Sequence, residues 1–414
     1  MLRAPVLGAL RSLSANLASR RLLTTKSKAT ALVQGEVVSV QFPEGDQHKF
    51  PTTWLRDNCQ CSACFSPHMH SRLIHWRNFD IYVHPLSVEA ADKNLNIKWS
   101  DGHNSSFQFE WLKERNFTSE KQKQWLSKTY RAPKETWNTL KFQSIIKRFK
   151  FDDIIKSDQS LLLWLEALAV YGVAIVTETP SSKEEISKLA NRIAFPRKTH
   201  YGETFEVKHK PGTTNSAYLN TPLQMHTDLP YYEYKPGLNL LHCLVQTEGP
   251  GGENLITDGF YVGNHMKKHN PDFYKLLSTI PVEWLDIGEE DGIKFHTLYR
   301  APVICEDMFG QIIRINYSQP QRDSHFNVPL ETAVLWYKAY HAFTKALYHP
   351  DNVVMLKNSP GDILTFDNIR LIHAREGYTD NVGRERHIIG VYLDWDIAYA
   401  RIRVLRQNAG MLKT

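Results

Sequence analysis

Short apolar runs, each closed by a turn signal, leave this chain few folds to choose from. Leu238 to Val245 is one such run. Val303 to Cys305 and Ile312 to Tyr317 flank a turn at Phe309-Gly310, and Val353 to Leu356 and Ile363 to Phe366 flank Asn358-Ser359-Pro360-Gly361. Ile388 to Trp395 comes last, and one long helical stretch, Glu331 to Tyr348, interrupts the series. Leu161 to Val176 reads as a helix closing at Gly172, then a buried strand from Val173 to Thr177. Many antiparallel strands with a few helices over residues 141–408 predict a mainly β unit, a double-stranded β-helix or jelly roll with covering helices. Residues 30–115 alternate over shorter runs (Val37 to Phe42, Ile81 to Val83, Leu95 to Trp99) between turn clusters, and predict a small separate β domain. Residues 116–140, polar and basic with Lys121, Lys123, Lys128 and Lys134, read as the connector.

The net charge of +6 does not indicate a nucleic-acid partner, because of where it lies. Residues 1–28 hold Arg3, Arg11, Arg20, Arg21, Lys26 and Lys28 and no acid; without them the chain has 44 basic and 44 acidic residues. A polyanion binder keeps its basic excess in the folded part. Within that same segment Val6, Leu10, Leu13 and Leu17 recur at helical spacing beside scattered arginines, the composition of a mitochondrial transit peptide; a cytoplasmic chain with a basic tail is the alternative. No run of about 18 uncharged apolar residues suggests a membrane span. Five cysteines, three of them between positions 59 and 64, argue for metal rather than a disulfide framework.

His226-Thr227-Asp228 carries the chemistry. A catalytic iron takes two neutral imidazoles and one carboxylate on one face and keeps open positions for substrate and oxygen. In an extended strand residues i and i+2 point the same way, so H-x-D delivers two ligands from one element. With 18 histidines, about one H-x-D is expected by chance, and His349-Pro350-Asp351 is a second, with a proline that argues against a regular strand. Context separates them. After His226 come a strand, the Gly251-Gly252 turn and Ile256-Thr257-Asp258-Gly259-Phe260; later, Pro360-Gly361-Asp362 opens a strand that leads to His373 and then Arg386. An H-x-D, a distal histidine and an arginine, in that order, suit a barrel-held site for 2-oxoglutarate. The keto acid end of this co-substrate chelates iron, and its far carboxylate calls for the bidentate fork of an arginine.

The catalytic region resembles the gamma-butyrobetaine dioxygenase and trimethyllysine dioxygenase family, relatives of taurine dioxygenase. The likeness runs from about Thr53 to Asn408 and includes Thr53-Trp54-Leu55-Arg56-Asp57-Asn58-Cys59 and Leu240-Leu241-His242-Cys243. It implies that His226, Asp228 and His373 ligate Fe(II), that Arg386 binds the co-substrate carboxylate, and that Asn215 and Leu241 line the 2-oxoglutarate pocket. It further implies O2 as co-substrate, ascorbate as a reductant, and a homodimer. Oxidative decarboxylation to succinate and CO2 is coupled in this family to hydroxylation of a substrate C–H.

Cys59-Gln60-Cys61-Ser62-Ala63-Cys64 packs three thiols into one turn, and soft thiolates with an imidazole favour a closed, structural Zn2+ site. His68 and His70 are near candidates for the fourth ligand, while the resemblance points to His103. Cys243 and Cys305 read as core residues.

For the substrate, aromatics near the iron motif matter: Tyr201, Phe205, Tyr218 and the more distant Tyr392. Quaternary ammonium groups cannot donate hydrogen bonds and are held by aromatic faces, each worth about 0.5–2 kcal/mol. In the resembling enzymes these positions contribute to a trimethylammonium pocket, although core filling explains the residues equally well. Phe205 stands where vertebrate members have Trp, and Leu229 replaces an aromatic found in some members. Gly310 to Tyr317, continuing to Arg322-Asp323, and the ending Asp394-Trp395-Asp396 through Leu405-Arg406-Gln407 look like the butyrobetaine branch, whereas the presequence fits the trimethyllysine branch at least as well. Two readings of other classes compete. A non-catalytic zinc-dependent interaction protein on an oxygenase scaffold predicts a missing ligand or arginine, and all are present. A hydrolytic zinc enzyme needs a motif such as H-E-x-x-H, which is missing.

Overall fold

The structure, a computed structural model, describes residues 28–209, 218–290, 292–379 and 385–412. The presequence reading of residues 1–28 therefore falls, but for Lys28, outside the described residues, as does Asn215. The chain divides into two compact units between Trp125 and Leu126.

The N-terminal unit holds two antiparallel three-stranded sheets, Thr30–Gln34, Val37–Gln41 and Gln47–Pro51, and Pro85–Ala91, Asn94–Trp99 and Asn104–Gln108. Alternation of apolar and polar residues in the last two strands turns Leu95, Ile97, Trp99 and Phe107 into a core shared with Val38, Val40, Phe42 and Phe50. The run Ile81 to Val83 is a turn leading into Pro85–Ala91, with the Tyr82 N–H on Asp80 Oδ1 at 2.9 Å; three apolar residues are too few to hold an edge against that local Asx bond.

The catalytic unit is the jelly roll. Its eight strands are β1 (Thr204–Lys208), β2 (Leu223–His226), β3 (Leu238–Val245), β4 (Asn254–Asp258), β5 (Val353–Leu356), β6 (Ile363–Asp367), β7 (Leu371–Arg375) and β8 (His387–Leu393). One sheet runs β1-β8-β3-β6 and is extended by Val173–Thr177 and Arg148–Lys150; the other runs β2-β7-β4-β5. β6 and β7 are buried along their whole length, because helices cover the outer faces. Asp158–Tyr171, Glu184–Ile193 and Trp395–Asn408 pack through Leu161, Leu165, Leu189 and Ile402 against β3, β6 and β8. The first of these helices ends at Gly172, whose φ of 80° is the left-handed closure that favours glycine. Between β4 and β5 the chain inserts helices Gly259–His269, Pro271–Thr279 and Leu330–Leu347 and a hairpin, Val282–Glu290 with Ile293–Ala301. Among the described residues no helix is long and apolar enough to cross a membrane.

Residues 116–140 carry the helix Ser119–Trp125 and a turn of π-helix, Leu126–Tyr130, and their second half is woven into the catalytic unit. Trp137 is buried, with its indole N–H on the Tyr171 carbonyl at 2.8 Å and its backbone N–H on Asp258 at 3.0 Å. Lys134 pairs at 2.7 Å with the wholly buried carboxylate of Asp367. Asp258 itself caps the helix that follows β4 and takes both ends of the Arg370 guanidinium, at 3.0 and 2.7 Å. Arg370 also donates to the carbonyls of Val170 and Glu135, so four hydrogen bonds from this buried guanidinium pin the helix end, β4 and the former connector together.

Candidate active site

Alternation along four strands turns one set of side chains into the barrel. Phe205 and Val207 on β1, Asn239 and Leu241 on β3, His373 and Arg375 on β7, and Ile388 and Tyr392 on β8 all line one cavity, with Arg386 just ahead of β8. His226 on β2 stands directly opposite His373 on β7. Side chains of such a pair emerge on the same face a few ångströms apart, and the ring centres lie 4.2 Å from each other.

The Asp228 carboxylate completes the group. Its Oδ1 lies 3.2 Å from His226 Nε2 and 3.5 Å from His373 Nε2. β2 ends at His226, so Asp228 is not delivered by strand geometry as the H-x-D spacing predicts. The buried Asn368 side chain holds it instead, accepting from the Asp228 N–H at 2.8 Å and donating to its carbonyl at 3.0 Å. Leu229, next in the chain, takes φ of 50°, a conformation that a branched side chain adopts only at a cost. The second carboxylate oxygen, Oδ2, accepts from the Asn239 amide and from the Tyr392 hydroxyl at 3.0 Å. One oxygen is thus spent on the protein and the other is left for a ligand.

Protonation suits metal. Burial, with His226 close by, drives the His373 pKa down to about 3, so this imidazole is neutral at ordinary pH. Burial works against the Asp228 charge as well, but the two imidazoles and the Tyr392 hydroxyl outweigh it and keep the carboxyl below its usual range. The His226 Nδ1–H donates to the Gln224 carbonyl at 2.8 Å, which turns Nε2 toward Asp228. Two imidazole nitrogens and a carboxylate oxygen, all within 4.8 Å of one another, fit a divalent iron that keeps open positions. The second H-x-D does not contribute: His349 and Asp351 are exposed.

Arg386 is buried, with its Nε 3.3 Å from the Gln246 side-chain oxygen and its guanidinium over the Tyr378 ring at 5.4 Å. Leu241 lines the same cavity. All four aromatic candidates, Tyr201, Phe205, Tyr218 and Tyr392, line it too. Phe205 stacks on Tyr392 at 4.7 Å across Gly390, its cross-strand partner, where any Cβ would come within 2.1 Å of the ring. Sequence reasoning missed Asn239, Asn368 and Arg375 as parts of the site, and left open whether Tyr231 or Tyr232 makes up for the aromatic that Leu229 replaces. Arg375 ties down the approach to β2 through the carbonyls of Leu219 and Thr221. Of the two tyrosines after Leu229, Tyr231 lines the cavity, and Tyr232 turns to the backbone of His200. Period-2 alternation could have pointed to Asn239, two before Leu241, and to Arg375, two after His373.

In the N-terminal unit, His103 Nε2 lies 3.3, 3.5 and 3.5 Å from the sulfurs of Cys59, Cys61 and Cys64. These four form a second group able to hold a metal, and the donor set is that of structural zinc. His68 and His70 are exposed and stand apart from it. Asp101 orients the His103 backbone at 3.0 Å, and Arg56, paired with Asp101, donates to Cys64 at 3.6 Å. Burial drives the Cys64 pKa up to about 12 in the bare cluster, so a cation is what makes this thiolate stable.

Comparison with known proteins follows the same division. The family described as "Taurine catabolism dioxygenase TauD, TfdA family" matches residues 134–392, and "Gamma-butyrobetaine hydroxylase-like, N-terminal" matches residues 30–113. The chain is 33% identical over 384 residues to gamma-butyrobetaine dioxygenase of Homo sapiens, covering 93% of this chain and 98% of that one. It is 28% identical over 367 residues to mitochondrial trimethyllysine dioxygenase of Mus musculus, covering 88% and 85%. A solved asparagine oxygenase with Fe(II) overlays with a TM-score of 0.43 at 13% identity, over 59% of this chain and 93% of that one.

Proposed function

Since the chain belongs to the TauD, TfdA dioxygenase family, on its gamma-butyrobetaine dioxygenase-like side, we propose that it hydroxylates gamma-butyrobetaine to L-carnitine. It is an Fe(II)- and 2-oxoglutarate-dependent dioxygenase. The observation that carries the proposal is the cross-strand pair His226 and His373 sharing Asp228 Oδ1, in a cavity that also receives Arg386 and five aromatic rings.

In this reading His226, Asp228 and His373 hold the iron, and Arg386 takes the far carboxylate of 2-oxoglutarate beside Leu241 and Asn215. Tyr201, Phe205, Tyr218 and Tyr231 surround the trimethylammonium group. Bound iron supplies oxygen activation coupled to decarboxylation of the keto acid. The chain's own groups do the rest. Asn239 and Tyr392 hold Asp228 Oδ2 and leave Oδ1 for the iron it would hold, the apolar walls of Leu241, Ile388 and Phe205 exclude water, and the cage orients the substrate carbon. Zn2+ on Cys59, Cys61, Cys64 and His103 holds the N-terminal unit together and takes no part in the chemistry. Ascorbate as reductant, a homodimer and a mitochondrial address complete the proposal. The address rests on the arginine-rich, acid-free first 28 residues and on mitochondrial relatives such as that of Mus musculus. Trimethyllysine is the second reading, on the strength of those same relatives.

The test is succinate release with gamma-butyrobetaine and trimethyllysine side by side, with His226→Ala as control. Turnover coupled to gamma-butyrobetaine and lost in the variant is expected. Coupled turnover with trimethyllysine alone overturns the substrate, and activity retained in His226→Ala overturns the site.

A further inference from the structure

Two residues outside the cavity lining hold the arginine that lines it. Gln246, the residue after β3, and Tyr378, just after β7, are both buried, and both touch Arg386. The Gln246 amide is fixed at both of its ends. Its nitrogen donates to the Asn358 carbonyl at 3.0 Å, and its oxygen accepts from the Thr247 N–H at 3.0 Å and from Arg386 Nε at 3.3 Å. Tyr378 is held through its backbone N–H, which donates to the Asn220 carbonyl at 3.0 Å. Its ring meets two guanidiniums, that of Arg386 at 5.4 Å and that of Arg375 at 5.0 Å. The Gly251-Gly252 turn lets the two holders close on each other. A Cβ on Gly251 would stand 1.9 Å from the Gly377 carbonyl oxygen, and one on Gly252 would stand 3.0 Å from the Gln246 side-chain oxygen. Both glycines also have positive φ, 94° and 74°.

We propose that Gln246 and Tyr378 are positioning residues for Arg386, and that their grip makes the site select a 2-oxo diacid over a 2-oxo monoacid. This rests on the reading of Arg386 as the partner of the far carboxylate of 2-oxoglutarate. An arginine side chain has several rotatable bonds, and a ligand that must freeze them binds more weakly than one that finds them already fixed. A carboxylate also takes a two-point fork only when the guanidinium lies in the right plane. The bond at Nε and the ring contact settle that plane before the ligand arrives. The keto acid end meets the three metal ligands instead, so the grip acts on the far carboxylate alone.

The experiment is an anaerobic calorimetric titration of the Fe(II)-loaded enzyme with 2-oxoglutarate and with 2-oxobutyrate, which keeps the keto acid and lacks the second carboxylate. Steady-state kinetics supply KM and kcat beside it. Wild type is expected to bind the diacid more tightly. Gln246→Met is close in size and lacks the acceptor. It is expected to bind 2-oxoglutarate about tenfold more weakly, or by about 1.4 kcal/mol, and 2-oxobutyrate within about twofold of wild type. KM for 2-oxoglutarate should rise with it, while kcat at saturation holds. Tyr378→Leu removes the ring and should show the same selective loss. Tyr378→Phe keeps the ring and should restore the affinity, and this pair decides the question if Gln246→Met does not fold. Equal loss for both acids, no loss for the diacid, or a loss in Tyr378→Phe that matches Tyr378→Leu overturns the inference. Arg386→Lys is titrated alongside. An unchanged affinity for 2-oxoglutarate there overturns the reading of Arg386, and this inference with it.

Discussion

Tyr392→Phe separates two roles that lie on one side chain. By resemblance Tyr392 is a wall of the ammonium cage, yet its hydroxyl is committed to Asp228 Oδ2 at 3.0 Å. Phenylalanine keeps the ring stacked on Phe205 at 4.7 Å and removes only that donor. A hydrogen bond to a charged group contributes about 1.5–3 kcal/mol, and Asn239 remains on the same oxygen, so the lower end applies. That corresponds to a loss of about tenfold in apparent Fe(II) affinity, within the range usual for partners of metal ligands. The assay is the Fe(II) dependence of succinate release, run beside KM for the ammonium substrate. We expect the iron requirement to rise and KM to hold within about twofold, since the face offered to the cation is unchanged. An unchanged iron requirement would refute the assignment of the Tyr392 hydroxyl to holding Asp228.

Three further outcomes follow from the same structure. Arg386→Lys should raise KM for 2-oxoglutarate by about 30-fold while leaving affinity for the ammonium substrate intact, because a point charge cannot reproduce the fork; steady-state kinetics with each substrate varied in turn decide it. Cys61→Ser should drop bound zinc from about one equivalent per chain to a trace by elemental analysis, and retained zinc would remove Cys61 from the ligand set. Arg370→Met should cost about 3–5 kcal/mol in urea unfolding of the catalytic unit, since Asp258 would be left buried and unpaired; a midpoint near wild type would mean that water reaches that carboxylate.

What the sequence made legible was whatever one element encodes alone. The helix end at Gly172 and the turn-bounded strand Leu238 to Val245 are local signals of this kind, and the order His226, Asp228, His373, Arg386 is read along the chain without any contact between elements. The pairing that makes the site is not local. That His226 faces His373 depends on the register of β2 against β7, and register follows from the packing of both sheets. The grip of Asn368 on Asp228 likewise joins two turns far apart in the chain, and nothing in an Asp-Asn dipeptide announces it. The connector misled for a simpler reason. Its lysines suggest a solvated tether, but one of them meets the buried Asp367, and Trp137 goes with it into the core.

The distribution of these groups along the chain says where specificity resides. Among the described residues, the groups proposed to touch iron or 2-oxoglutarate sit on or next to the eight strands, where alternation and register leave little freedom. The groups proposed to tell one substrate from another are placed differently. Tyr201 and Tyr231 lie in segments flanking β1 and β2, and Phe295 of the inserted hairpin packs on His200 at 4.2 Å, beside Tyr201. An insert of this kind can change length and charge without disturbing the barrel ladders, since its own strands pair with each other. The groups proposed for iron and 2-oxoglutarate thus ride on the jelly-roll ladders, and the aromatic groups proposed to meet the substrate sit beside a hairpin that can vary apart from them.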